Sequence, residues 1–111
     1  MNAFEALGDP IRRRIVELIG PGEKAAGELT ERIIEEFGIT QPAVSRHLRV
    51  LREAGMATVR PLGTRRLYKI EGEPLRELEG WLGRLGRFWD QNLGALDTEV
   101  RRGIRDRKES E

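Results

Sequence analysis

With 111 residues, 38% of them hydrophobic, and a net charge of +1, the chain has room for one structural domain around a modest core. No run of 18 apolar residues offers a membrane span and no charged-then-apolar amino terminus offers a secretory signal, so a cytoplasmic protein without membrane contact is expected. The absence of cysteine and the single histidine, His47, exclude disulfides, thiolate or imidazole metal clusters, and cysteine or serine-histidine nucleophiles; no metal, cofactor or enzyme activity is expected.

Ala3, Phe4, Ala6 and Leu7 predict a short first helix ending near Gly8. Asp9-Pro10 reads as an N-cap followed by proline at the first helical position, and it opens a second helix in which Ile11, Ile15, Leu18 and Ile19 recur at helical spacing. Gly20-Pro21-Gly22 stops that helix. A third is expected over about 26–37, with Leu29, Ile33, Ile34 and Phe37 inward and the glutamates outward. Gly38-Ile39-Thr40 then forms a three-residue turn, Gly38 suited to a left-handed C-cap and Thr40 to capping the next helix. That fourth helix, Gln41 to Ala54, carries Val44, Leu48 and Leu51 on one face. After Gly55 the apolar period shortens to that of strands: 57–61 and 65–70 predict a hairpin joined by Leu62-Gly63-Thr64, with Pro61 confined to a strand end or edge. Pro74 opens a long last helix, apolar every three or four residues from Leu75 to Ile104, before a charged tail.

Charge is segregated along this order. Residues 38–70 hold Arg46, Arg49, Arg52, Arg60, Arg65, Arg66 and Lys69 against Glu53 alone, a balance of +6. Such a patch is the electrostatic footprint of a nucleic-acid surface, a merely solvated face being the plainer alternative. Two helices joined by a short glycine-containing turn and followed by a hairpin have the order of a winged helix-turn-helix, a mainly α fold with a small β-hairpin wing. With Val44, Leu48 and Leu51 turned inward, rotation by 100° per residue turns Gln41, Pro42, Ser45, Arg46 and Arg49 outward. These side chains suit a major groove: Gln pairs with adenine, Arg bonds guanine in bidentate fashion, and Ser admits close approach. Together with Thr40 at the cap and Arg60, Thr64, Arg65 and Arg66 around the hairpin tip, they form the candidate set for double-stranded DNA.

The run Leu7-Gly8-Asp9-Pro10-Ile11-Arg12-Arg13-Arg14-Ile15, then Gly27-Glu28-Leu29, then Thr40-Gln41-Pro42-Ala43-Val44-Ser45-Arg46-His47-Leu48-Arg49-Val50-Leu51-Arg52-Glu53-Ala54-Gly55 resembles the ArsR family of bacterial transcriptional regulators, over roughly residues 2–72. The resemblance implies a homodimeric repressor of an inverted-repeat operator, dimerising through its first and last helices and reading bases with Gln41, Pro42, Ser45 and Arg46. The last helix, with Trp81, Arg87-Phe88-Trp89 and Leu93, resembles the subgroup encoded beside START-like proteins. Many members sense metals through a Cys-x-Cys pair in the third helix or Asp and His pairs in the last; neither set is present, so a non-metal-sensing member is implied. Between Leu29 and Thr40 the chain is about four residues longer than the commonest family spacing, roughly one helical turn.

Some 30 helical residues from Pro74 span about 45 Å, against a radius of gyration of about 13 Å for a compact 100-residue domain. One subunit cannot cover that stripe, so Phe4, Leu78, Trp81, Leu82, Leu85, Phe88, Trp89, Leu93 and Leu96 are expected at a homodimer interface. The expected organisation is a DNA-binding core over 1–72, a dimerisation helix over 73–105 and a charged tail over 106–111, in one structural domain. His47 reads as structural or phosphate-contacting, and Arg12, Arg13 and Arg14 as phosphate arms or solvated surface. Trp81, Phe88 and Trp89 suit ordinary packing or an effector pocket, and Asp90 and Asp97 lack a third cation ligand. Two function classes follow: a DNA-binding repressor, whose effector would be a small organic molecule of unknown identity, and a winged-helix protein-interaction module without an operator. The +6 segment favours the repressor.

Overall fold

The computed structural model describes residues 1–110, with side chains described for residues 1–92. Two compact units, Met1–Leu78 and Glu79–Glu111, divide the chain. The first contains α1 (Ala3–Ala6), α2 (Pro10–Ile19), β1 (Lys24–Ala25), α3 (Ala26–Phe37), α4 (Gln41–Glu53), β2 (Ala57–Leu62), β3 (Arg65–Ile70) and the start of α5 (Gly72–Ser110). This is the expected mainly α winged helix-turn-helix with a small β-hairpin wing and a long C-terminal helix.

Local chemistry sets the helix ends. The Asp9 carboxylate accepts from the backbone N–H of Ile11 at 2.7 Å and of Arg12 at 3.2 Å, ahead of Pro10 at the first position of α2. Thr40 Oγ1 accepts from Ala43 N–H at 3.3 Å and caps α4. Gly38 ends α3 in the left-handed region, φ 67°, with its N–H donating to Ile34 O at 2.8 Å; a Cβ there would be strained.

The core gathers Ile15 and Ile19 from α2, Leu29 and Ile33 from α3, Val44, Leu48 and Leu51 from α4, then Met56, Tyr68 and Leu78. Each fully buried Leu or Ile stabilises the fold by about 1.5–3 kcal/mol relative to exposure. The structure corrects the sequence reading at Ile34 and Phe37, which stay 37% and 40% exposed instead of facing inward. Leu29 and Ile33, four residues apart, share the face that meets the core; Ile34 is rotated 100° from Ile33 and cannot share it.

The sheet differs from a plain hairpin. Its strand order is β1-β3-β2, all antiparallel, with Lys24 opposite Tyr68 and Ala25 opposite Leu67. Two residues are too short for a period-2 signal, so β1 has no signature in the sequence. Leu62 pairs with Arg65, which makes the tip a two-residue turn, Gly63-Thr64, one residue shorter than expected. Gly63 alone takes positive φ, 61°, the sign pattern of a type II′ hairpin turn. Pro61 sits on β2, an edge strand, where its missing N–H interrupts no second ladder.

In the second unit α5 continues as helix to Ser110, through Gly94, having begun two residues ahead of Pro74. Leu82, Phe88 and Trp89 are 57%, 59% and 49% exposed, Trp81 is 44% exposed, and Leu85 is half-buried. The side chains of Leu93, Leu96 and Asp97 lie outside those described. Among the described residues, no helix is long and apolar enough to cross a membrane.

Candidate nucleic-acid interface

The outward face of α4 carries Gln41, Pro42, Ser45, Arg46 and Arg49, all exposed, along a shallow groove of about 500 Å³. The buried stripe of Val44, Leu48 and Leu51 anchors the opposite face, so the outward orientation follows from core packing. Behind this groove a second cleft of about 540 Å³ runs between α3, α4 and β3; Gln41, Ser45 and Arg49 border it too, with Arg52, Arg66 and Tyr68. Arg52, part of the basic segment but outside the expected DNA-contact set, follows Arg49 by three residues, which puts both on adjoining turns.

The wing arginines are not equivalent. Arg60 forms a bidentate pair with Glu23: Nε lies 3.0 and 3.2 Å from the two carboxylate oxygens and Nη2 lies 2.9 Å from Oε2. Hydrogen bonding to Arg60 holds the Glu23 carboxyl below its usual range, against a smaller opposing effect of burial. Arg65 Nη2 lies 3.1 Å from Glu28 Oε1. Arg66 and Thr64 are exposed at the tip. Among the described residues Arg46, Arg49, Arg52 and Arg66 have no carboxylate within 4.0 Å, so the cations on the face of α4 remain available.

The arginine run of α2 has structural work of its own. Arg12 Nε donates to Ala6 O at 2.6 Å and Nη2 to Glu5 O at 3.4 Å, while Nη1 stands 3.2 Å from His47 Nδ1. Arg13 Nη1 donates to Leu7 O at 3.2 Å. Arg14 makes a fork with Glu36, at 2.8 and 2.9 Å, and reaches Glu17 at 3.0 Å. Arg32 adds a third bond to Glu36 at 2.9 Å, and these hydrogen bonds pull the Glu36 carboxyl down to about 2. None of the three stands as a free phosphate arm. Among the described residues no group of three metal-ligating side chains exists.

Known proteins agree with this architecture. A helix-turn-helix domain family matches residues 7–60. The chain is 41% identical over 92 residues to the HTH-type transcriptional regulator Rv2034 of Mycobacterium tuberculosis, covering 83% of this chain and 79% of that one. It is 32% identical over 81 residues to the transcriptional repressor SdpR of Bacillus subtilis, covering 73% and 86% respectively. Among solved structures, a possible transcriptional regulator for arsenical resistance superposes with a TM-score of 0.68 at 32% identity, over 89% of this chain and 96% of that chain. An ArsR family transcriptional regulator superposes with a TM-score of 0.65 at 29% identity, over 78% and 86%. These relatives are regulators of transcription, and likeness of this extent, on a fold that presents α4 as it does, makes the chain a member of the ArsR family of DNA-binding, winged helix-turn-helix transcriptional regulators.

Proposed function

We propose that the protein is a sequence-specific repressor that binds an inverted-repeat operator as a homodimer. The observation that carries this reading is the face of α4: Gln41, Ser45, Arg46 and Arg49 are exposed together and neither arginine is neutralised by a carboxylate. In this reading Gln41, Pro42, Ser45 and Arg46 meet base edges, Thr40 and Arg49 flank them, and Arg60, Thr64, Arg65 and Arg66 meet phosphates or the minor groove. Two copies related by a twofold axis set their reading helices about 34 Å apart, one turn of DNA. The exposed Leu82, Phe88 and Trp89 of α5 supply apolar surface for that pairing.

With no cysteine and one histidine, release from the operator is assigned to a small organic ligand, a partner protein or autoregulation, and not to thiophilic metals or thiol oxidation. The likeness of α5 to the subgroup encoded beside START-like proteins makes a neighbouring gene product the first place to look. A gel shift on the duplex upstream of its own gene, with a scrambled duplex as control and light scattering of the free protein, tests the reading. Retarded upstream DNA, unretarded scrambled DNA and a dimer at micromolar concentration are expected. A stable folded monomer overturns the dimer, and equal binding of both duplexes overturns the operator.

A further inference from the structure

Two of the seven cations in the basic segment are already matched by carboxylates, and both are on the wing. Glu23 holds Arg60 in a fork, and Glu28 holds Arg65. Both acids come from one short stretch, Glu23 immediately before β1 and Glu28 in the first turn of α3. The register of the sheet delivers them. β1 pairs with β3, and Leu67 of β3 stands opposite Ala25 on one side and Arg60 on the other. The smallest strand of the fold thus clips two glutamates onto the wing, while Arg46, Arg49 and Arg52 on α4 face no acid within 4.0 Å among the described residues.

A free arginine that meets a phosphate adds a charge-assisted bond and releases condensed counterions. An arginine already matched by a carboxylate has to exchange one anion for another, and the displaced glutamate is left facing a polyanion. The gain in attraction and in counterion release is correspondingly smaller. Both pairs are at the surface, with arginine side chains 57% and 55% exposed, so a phosphate has access to them. Exposed pairs of this kind contribute little to folding because water and salt screen them, so stability alone does not account for their placement.

We propose that Glu23 and Glu28 are affinity-setting residues: a carboxylate brake that every duplex has to displace before its phosphates reach Arg60 and Arg65, which lowers affinity by the cost of that exchange. The proposal rests on the reading of Arg60 and Arg65 as phosphate contacts. Because phosphates carry no sequence information, releasing the brake strengthens operator and random DNA by the same factor.

Fluorescence anisotropy with the full chain, on the upstream duplex and a scrambled duplex across a salt series, tests it. Glu28→Gln and Glu23→Gln are each expected to tighten both duplexes several-fold and to steepen the slope of log affinity against log salt by up to about 0.9 per released arginine. Glu31→Gln, which removes the same charge one turn along α3, controls for long-range electrostatics and is expected to do less. In the double variant of Glu28→Gln with Arg65→Ala the gain disappears, since no arginine remains to be released. Unchanged or weakened binding in Glu28→Gln and Glu23→Gln, or a gain no larger than that of Glu31→Gln, overturns the brake. If Arg60→Ala and Arg65→Ala weaken binding while the glutamine variants do not tighten it, the wing reading stands and the brake alone fails. If the arginine variants also leave affinity and slope unchanged, the wing reading falls with it. Should a variant fail to fold, the unmodified protein still decides: the Arg60 Nε–H resonance is expected to shift when scrambled duplex is added, and a resonance that stays in place means that the pair with Glu23 persists in the complex and the brake is wrong.

Discussion

Arg12 Nη1 stands 3.2 Å from Nδ1 of His47 and thereby joins α2 to α4. The same guanidinium holds the carbonyl of Ala6, so one side chain links α1, α2 and α4. Arginine is always a donor, which makes Nδ1 the bare nitrogen of a neutral imidazole. Burial is the main cause that lowers the His47 pKa from its ordinary 6.5; Arg12 and Arg46 act in the same direction and Asp9 opposes them.

A pH dependence follows with a definite sign. The unfolded chain takes up the His47 proton near its ordinary pKa and the folded chain only at lower pH, so acid favours unfolding. The contribution of neutral His47 is complete above about pH 6.5 and is lost as the pH falls through the depressed folded value. Thermal melts of the wild type are expected to shift downward between about pH 7 and 5, and His47→Gln, which can accept from Arg12 but does not titrate, is expected to flatten that shift. An equally steep shift in His47→Gln would assign it to another group.

Ile33 and Ile34 are neighbours in sequence with opposite fates, 0% and 37% exposed. Ile33→Ala is expected to cost about 2–5 kcal/mol through lost burial and a residual cavity. Ile34→Ala is expected to cost about 0.5 kcal/mol, the scale of a surface substitution. Urea denaturation measures both, and similar losses at the two positions would contradict the packing of α3 described above.

Arg46 and Arg66 are expected to divide the work of binding. Arg46→Ala is expected to weaken the true operator by about 1–3 kcal/mol and relax preference at one base pair, because its neighbours Gln41 and Ser45 also face the groove. Arg66→Ala is expected to weaken all sequences alike and to flatten the salt slope by about 0.9. Salt titrations on upstream and scrambled duplexes distinguish the two, and equal loss on both for Arg46→Ala would remove α4 from the role of reader.

Much of the fold was legible because its signals are local. The Asp9 cap, the left-handed Gly38, Thr40 over the start of α4 and Gly63 in the hairpin all act within four residues, a span that composition and spacing can reveal. The outward set on α4 was equally legible, since one buried stripe determines which residues remain on the other side of a helix.

What only the tertiary structure decided lies between distant residues. Arg12 meets His47 across 35 positions, and Glu23 and Glu28 meet Arg60 and Arg65 across 37. Nothing near an arginine in the chain tells whether its guanidinium will reach a backbone carbonyl, a carboxylate or open solvent. The docking of α2 against α4 and the pairing of a two-residue strand with β3 bring those partners within hydrogen-bond range. Long flexible side chains take whichever acceptor packing places there, and for that reason the basic segment read as one uniform patch in sequence separates, among the described residues, into unpaired arginines on the outward face of α4 and a wing in which Arg60 and Arg65 are matched by glutamates while Arg66 is not.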